Sequence, residues 1–275
     1  FNDVHTFKVL LGWHTEKYNY NENTMVRRSF PNNNLTDMNA GTASTQTNSG
    51  FSRALAMISG FGRINYNYAS KYHFEANFRA DASSRFSSEN RWGYFPSFSA
   101  GWRISEEAFM ESLRDDVNNL MLRASWGLLG NQDALDDYYP YLNTYNLGGS
   151  YPFDGSLQSG YYQSSYRIPS ISWEKARTYG LGIDLSLFNH YNASIDLYDR
   201  KTTDIIMDVP VPAEFALGAY KDNVGAMRNR GVEVSLGYNN RWKDWSLSAN
   251  GNVSYNKNEI LNLGGVERMI SGSTI

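Results

Sequence analysis

The side chains able to do chemistry are few, and most are poorly spaced for it. The four histidines, His5, His14, His73 and His190, are scattered and share no ligand spacing. There is no cysteine, which excludes disulfides and thiolate metal sites. Adjacent acids occur at Glu106-Glu107, Asp115-Asp116 and Asp136-Asp137. A glycosidase needs two carboxylates across a sugar ring, which neighbours in sequence do not supply. The first pair suits a helix N-terminus and the other two suit solvated turns. Gly60-Phe61-Gly62, Gly148-Gly149 and Gly180-Leu181-Gly182 lack the strand-to-helix context of a phosphate loop and read as bends or close packing in strands. No catalytic residue, metal site or cofactor is expected.

Two constellations are richer. His73, Glu75, Arg79 and Asp81 lie on one side of an alternating segment, with Arg85 beside them. A metal site there has only alternation for spacing, and a ladder of charges paired across neighbouring strands is the favoured reading. The segment from Gly130 to Ser172 is rich in tyrosine, including Tyr151 and Tyr166. Aromatic rings stack on sugar faces and supply contact area with little entropy cost, so Tyr138, Tyr139, Tyr141, Tyr145, Tyr161 and Tyr162 are candidates for contact with a ligand or lid. The competing use of the same rings is packing of a long loop against itself.

The elements that must position these groups are extended. Period-two alternation recurs in nine segments: Phe7–Trp13, Ile64–Tyr68, Tyr72–Asp81, Phe98–Ile104, Leu120–Trp126, Tyr179–Leu187, Tyr191–Tyr198, Val232–Tyr238 and Trp245–Asn256. In Tyr72–Asp81, Tyr72, Phe74, Ala76, Phe78 and Ala80 share one face and the polar residues share the other. Each segment approaches the ~9–11 residues that cross a bilayer at a tilt. Arg63, Glu75, Arg79, Asp81, Arg103, Arg123, Asp184 and Glu233 are then expected to face a polar interior.

The connections alternate in length. Ala69–Lys71, Phe188–His190 and Asn239–Asp244 are short, whereas Glu16–Ser52, Gly130–Ser172 and Ile205–Arg230 are long. Phe86–Phe95 reads as a loop on the long side. Ser105–Asn119 reads as a small helix with Ser105 as N-cap, acids in its first turn and Phe109, Leu113 and Val117 on one face. Pro31, Pro140, Pro152, Pro169, Pro210 and Pro212 fall in long connections and Pro96 at a strand start, where no ladder hydrogen bond is lost. Tyr68, Tyr72, Trp102, Tyr191, Tyr238 and Trp245 gather at the short-turn ends. Trp13, Trp126 and Trp173 gather at the other, as two interfacial girdles would.

Composition agrees with this pattern. The net charge of −3 lacks the basic face a nucleic-acid binder needs. No run of about 18 apolar residues occurs, so no transmembrane helix is expected. Mean hydropathy is negative, as it is when only every second strand residue meets lipid. Aromatic residues make up 15% of the chain, with 20 Tyr and 7 Trp, the types that settle at membrane interfaces. Neither end of the 275 residues carries a terminal signature, and Phe1-Asn2-Asp3 and Gly272–Ile275 read as cuts through a longer polypeptide.

Residues Arg79 to Met110 read RADASSRFSSENRWGYFPSFSAGWRISEEAFM. LRASWGLLGNQ (Leu122 to Gln132), ISWEKARTYGLGIDLSLF (Ile171 to Phe188), IDLYDRKTTDII (Ile195 to Ile206), NVGAMRNRGVEVSL (Asn223 to Leu236) and NVSYNKNEILNL (Asn252 to Leu263) follow in order. Over roughly Phe61 to Gly265 the chain resembles SusC/RagA-type TonB-dependent outer-membrane transporters of Bacteroidetes. The resemblance implies an all-β fold, about nine strands of a ~22-stranded antiparallel transmembrane barrel closed around a plug. It also implies import of an oligosaccharide or peptide, energised by the TonB complex through the plug and capped by a SusD-like surface lipoprotein. Neither a plug nor a TonB box is found in residues 1–275, and the final strands of the barrel are expected to lie elsewhere. Two other readings share the alternation: a passive porin-like channel, and a soluble β-sandwich that binds glycans.

Overall fold

The computed structural model describes residues 4–264 apart from 136, 164, 212, 213, 215 and 216. Asp136, Pro212, Gly265 and both chain ends lie outside the described residues.

Nine strands form one antiparallel sheet in the order β1-β2-β3-β4-β5-β8-β9-β10-β11. They are β1 (His5–Val26), β2 (Thr47–Tyr68), β3 (Tyr72–Ser83), β4 (Trp92–Arg103), β5 (Val117–Asn131), β8 (Glu174–Leu187), β9 (Tyr191–Val209), β10 (Tyr220–Trp242) and β11 (Trp245–Leu263). Each of the nine alternating segments lies on one of them, except that Ile104 falls just past the end of β4. Between β5 and β8, strands β6 (Tyr145–Phe153) and β7 (Ser156–Gln163) pair as a separate hairpin. The main sheet is open, with β1 and β11 at its edges.

Register turns the alternation of single strands into two continuous faces. One row runs Val9–Ile64–Ala76–Phe98–Trp126–Tyr179, and the neighbouring row on the opposite face runs Asn65–Glu75–Ser99–Ser125–Gly180. The apolar rows are not covered. Trp13, Leu11 and Trp245 are each about four-fifths exposed, at 81%, 84% and 79%. The only other sheet among the described residues is the small hairpin, so the stacked layers of a soluble sandwich are not present.

Stagger gives the tilt. The row through the turn residues Tyr68 and Tyr72 continues through Trp102, Leu122, Ile183, Ile195 and Val234 to Val253, eight residues beyond the β11 turn residue Trp245. Eight residues rise about 27 Å, while the seven strand spacings from β2 to β11 amount to about 34 Å. If the short turns share one plane, the strands lean by about 39°, within the ~35–45° of closed transmembrane barrels.

Two of the tight turns carry left-handed backbone at both central positions. Ala69 and Ser70 have φ of 50° and 57°, and Phe188 and Asn189 have 52° and 58°. Such turns match the twist of the strands they join.

Several expectations are corrected. The strands run 12 to 23 residues in the main sheet, longer than one bilayer crossing. Both ends of Glu16–Ser52 and most of Ile205–Arg230 are therefore strand. Pro96 lies inside β4, next to Ser97, where pairing with β5 stops, so only one side of the ladder meets it. Ser105–Asn119 is not an α-helix. Ile104–Glu106 and Ala108–Leu113 are 3₁₀ turns without side-chain caps, and β5 begins at Val117. Ser105 is a buried member of the first turn rather than a cap, while Phe109 and Leu113 are exposed. Trp173 is buried in a core and belongs to no girdle.

Candidate functional site

The polar face is held by charge networks, one of which crosses three strands. Arg123 on β5 donates from Nε to Asp184 Oδ2 at 2.6 Å and from Nη2 to Asp184 Oδ1 at 2.9 Å. Its Nη2 also donates to Asp196 Oδ1 on β9 at 2.9 Å. The strand between is passable because Gly182 has no side chain. A Cβ there would stand 2.8 Å from Arg123 Cζ and 2.6 Å from Asp196 Oδ1. Asp196 faces Glu233 directly across β9 and β10. Like charges so placed repel, and Arg123 offsets the repulsion from the far side of Gly182.

A second network lies on β2 and β3. Arg79 Nε donates to both Asp81 oxygens at 2.8 Å, and Nη2 donates to Ser59 Oγ at 3.0 Å. The same guanidinium stands 5.6 Å from the Phe61 ring centre. Glu75 accepts from the amides of Asn65 and Asn77. His73 bonds the Ser70 carbonyl at 3.2 Å. Each member of the conceivable metal set thus has another partner, and no group of three or more metal-ligating side chains occurs among the described residues. The structure brings Arg79 with Asp81, and Arg123 with Asp184, onto common networks. It leaves Arg63, Arg103 and Glu233 outside them. Asp196 alternates onto the polar face, but its partner lies 73 residues earlier, which no local pattern reveals.

At the long-loop end the connections close a core of their own. Phe86, Phe95, Leu135, Ile168, Ile171 and Trp173 are buried together, with Phe86 fully buried. The side chain of Asn223 clamps this region. Its Oδ1 accepts from Ser172 N at 2.8 Å, and its Nδ2 donates to the carbonyls of Ser172 at 3.0 Å and Asp204 at 2.6 Å. Glu174 accepts from Ile206 N at 2.9 Å and Asn131 Nδ2 at 2.8 Å. These partners come from several of the segments quoted above.

The six candidate tyrosines divide into two groups. Tyr139 donates its hydroxyl to Ala54 O at 2.5 Å, and Tyr141 donates to Ser84 O at 3.2 Å. Tyr138 stacks under the guanidinium of Arg85, 5.0 Å from its centre, and Arg85 donates to the Leu135 carbonyl. This group fastens the loop to β2 and to the β3–β4 connection. Tyr145, Tyr161 and Tyr162 instead stand on the β6–β7 hairpin, largely exposed. Tyr145 and Tyr161 form an edge-to-face pair 5.6 Å apart. Leu147, at 87% exposure, extends that uncovered apolar surface.

At the opposite end, Glu107 ties the short connections together. It accepts from the Tyr72 hydroxyl at 2.6 Å, Trp102 Nε1 at 3.0 Å and Lys71 Nζ at 3.1 Å. The Tyr72 hydroxyl, then the Trp102 and Lys71 donors, pull its carboxyl down to about 2.

With this geometry in place, the likeness to known proteins is informative. Residues 2–269 match the family described as TonB dependent receptor-like, beta-barrel. TonB-dependent receptor P39 of Formosa agariphila is 36% identical over 273 residues, covering 96% of this chain and 25% of that protein. TonB-dependent receptor SusC of Bacteroides thetaiotaomicron is 36% identical over 214 residues, covering 76% of this chain and 21% of SusC. The RagAB peptide importer in its open-open state superposes with a TM-score of 0.86 at 28% identity, over 98% of this chain and 29% of the other. The chain thus spans a quarter or less of the length of these two relatives. An open sheet with transmembrane tilt is what such a span of a closed barrel must look like. This chain belongs to the TonB-dependent receptor family, and its nine-stranded sheet is part of the wall of an outer-membrane β-barrel.

Proposed function

We propose that the receptor containing this chain imports a bulky nutrient, an oligosaccharide or a peptide, and that these residues supply part of its wall and outer rim. The observation that carries the reading is the pairing of an uncovered apolar face with a charge-networked polar face on strands of transmembrane tilt. The wall is passive in this scheme. Arg79–Asp81 and Arg123–Asp184–Asp196 keep a rigid, wettable inner surface, and chemistry on the cargo is not required. Energy comes from the TonB complex acting through a plug, and a SusD-like lipoprotein closes the barrel from outside. The exposed rings of Tyr145, Tyr161 and Tyr162 are the surface we assign to cargo or to that lid, since rings with free faces stack on sugars and peptide groups. Tyr138, Tyr139 and Tyr141 hold the loop that presents them.

The test is uptake of labelled oligosaccharides and peptides by cells carrying the full-length receptor, with and without a functional TonB system. Loss of uptake without TonB supports energised import. Unchanged uptake favours the porin-like alternative. Replacing Tyr145, Tyr161 and Tyr162 by alanine is expected to weaken cargo binding or lid retention while the barrel still assembles.

A further inference from the structure

On four neighbouring strands the apolar face changes character at one level. β8 to β11 present Leu181–Leu197–Val232–Tyr255 in one row. The next row on that face is Tyr179–Asp199–Arg230–Lys257, and the row above is Arg177–Lys201–Arg228–Glu259. Two rows thus hold five cations and two carboxylates, an excess of three positive charges in a chain whose own balance is −3. β1 to β5 carry no comparable block on this face.

The block sits at headgroup height. Asp199 is eight residues above the turn residue Tyr191, and Arg230 is twelve above Trp242. At the rise and tilt above, those positions stand about 21 Å and about 32 Å over the turn level. A hydrocarbon belt about 25–30 Å tall ends in that interval.

Its internal wiring leaves charge to spare. Asp199 accepts from Arg228 Nε at 2.8 Å and stands 3.4 Å from Arg230 Nε, so one carboxylate orients two guanidinium forks. Arg177, Lys201 and Lys257 are exposed and make no hydrogen bond or ion pair among the described residues. A guanidinium fork fits phosphate oxygens in pairs, and lysines add point charges around it. The lipid phosphates of the leaflet are the nearest anions to a cationic block continuous with the lipid belt.

We propose that this block is a binding site for the phosphate groups of an outer-leaflet glycolipid. It would fix the depth and rotation of the barrel on one side, independently of what the receptor imports.

The experiment is native mass spectrometry of the full-length receptor in detergent, offered a bisphosphorylated lipid A and the same lipid without phosphates. The wild type is expected to retain the phosphorylated lipid and release the other. The triple variant Lys201→Gln, Arg230→Gln, Lys257→Gln keeps the strand register and should lose at least about tenfold in retention, since one basic residue near an anionic surface contributes about fivefold. Equal retention of both lipids, or an unchanged triple variant, overturns the proposal. Competition with inorganic phosphate separates the sources. Displacement by equimolar phosphate would mean a soluble-anion site and overturn the lipid assignment. A variant that loses receptor dimers but keeps lipid would mark a contact between copies and would overturn it too.

Discussion

Arg123 reaches Asp196 only because Gly182, on the strand between them, leaves its backbone bare. The guanidinium spans β8 and joins carboxylates on two strands, with donor distances of 2.6 to 2.9 Å. A methyl at position 182 would crowd Arg123 Cζ at 2.8 Å. The guanidinium is the free end of a flexible side chain, so it would move and give up Asp196 first.

Gly182→Ala is therefore expected to destabilise the receptor by about 1 kcal/mol, the size of one charge-assisted bond at a half-exposed site after screening. The check is a double-mutant cycle with Asp196→Asn, read by denaturant unfolding. If the alanine acts by breaking this bond, the two losses will not add. Additive losses would mean that Gly182 matters only as backbone.

Glu107 makes the short-turn end sensitive to acid. Its carboxyl is held at about 2, against an ordinary 4.5, chiefly by the Tyr72 hydroxyl and then by Trp102 and Lys71. A carboxyl depressed in the folded state favours folding above its ordinary value and loses that contribution as pH falls from about 4.5 towards 2. The 104–116 connection should loosen in that window. Hydrogen exchange of Tyr72 and Trp102 amides against pH reads it directly. Glu107→Gln should flatten the pH dependence, and a profile identical to wild type would refute the linkage.

The same residue marks where sequence patterns stop being legible. Glu106 and Glu107 read as the first turn of a helix because acids suit that place. In the fold, Glu107 is fixed by donors on two separate stretches, Lys71-Tyr72 and Trp102, and the segment stays in 3₁₀ turns. The strands were legible where one face meets lipid, because lipid forces alternation. Above that level both faces are wet and the pattern vanishes. Asn19-Tyr20-Asn21-Glu22-Asn23 is part of β1, and Asp199-Arg200-Lys201 continues β9, yet neither alternates. The charges of the polar face could be named but not paired, since Arg123 and Asp184 are 61 residues apart.

Asn223 is the clamp of the long-loop end. Its amide satisfies Ser172 on both backbone groups and caps the carbonyl of Asp204, a non-glycine residue at φ of 58°. Asn223→Ala leaves three part-buried backbone groups without partners and is expected to cost about 1–3 kcal/mol. The loss should be local. Limited proteolysis of the folded receptor should begin near residues 165–172 in the variant at protease levels that spare the wild type. An unchanged cleavage pattern would show that the buried cluster around Trp173 suffices alone.

Ile183 and Ser186, three residues apart on β8, stand on opposite faces of the sheet. Ile183 pairs with Ile195 on the apolar face, four residues above Leu187. That places it about 11 Å over the turn level, close to the middle of the belt. Ser186 lies on the polar face and donates to Asn192 Oδ1 at 2.8 Å. Ile183→Arg should cost about 2–4 kcal/mol, the range for a cation near the bilayer midplane. Ser186→Arg exchanges one exposed hydrogen bond for a solvated guanidinium and should cost under about 1 kcal/mol. Folding of the full-length receptor into lipid vesicles, followed by heat-modifiable migration on gels, reads both. Equal tolerance would mean that the apolar face does not meet hydrocarbon, and the membrane orientation would have to be reversed.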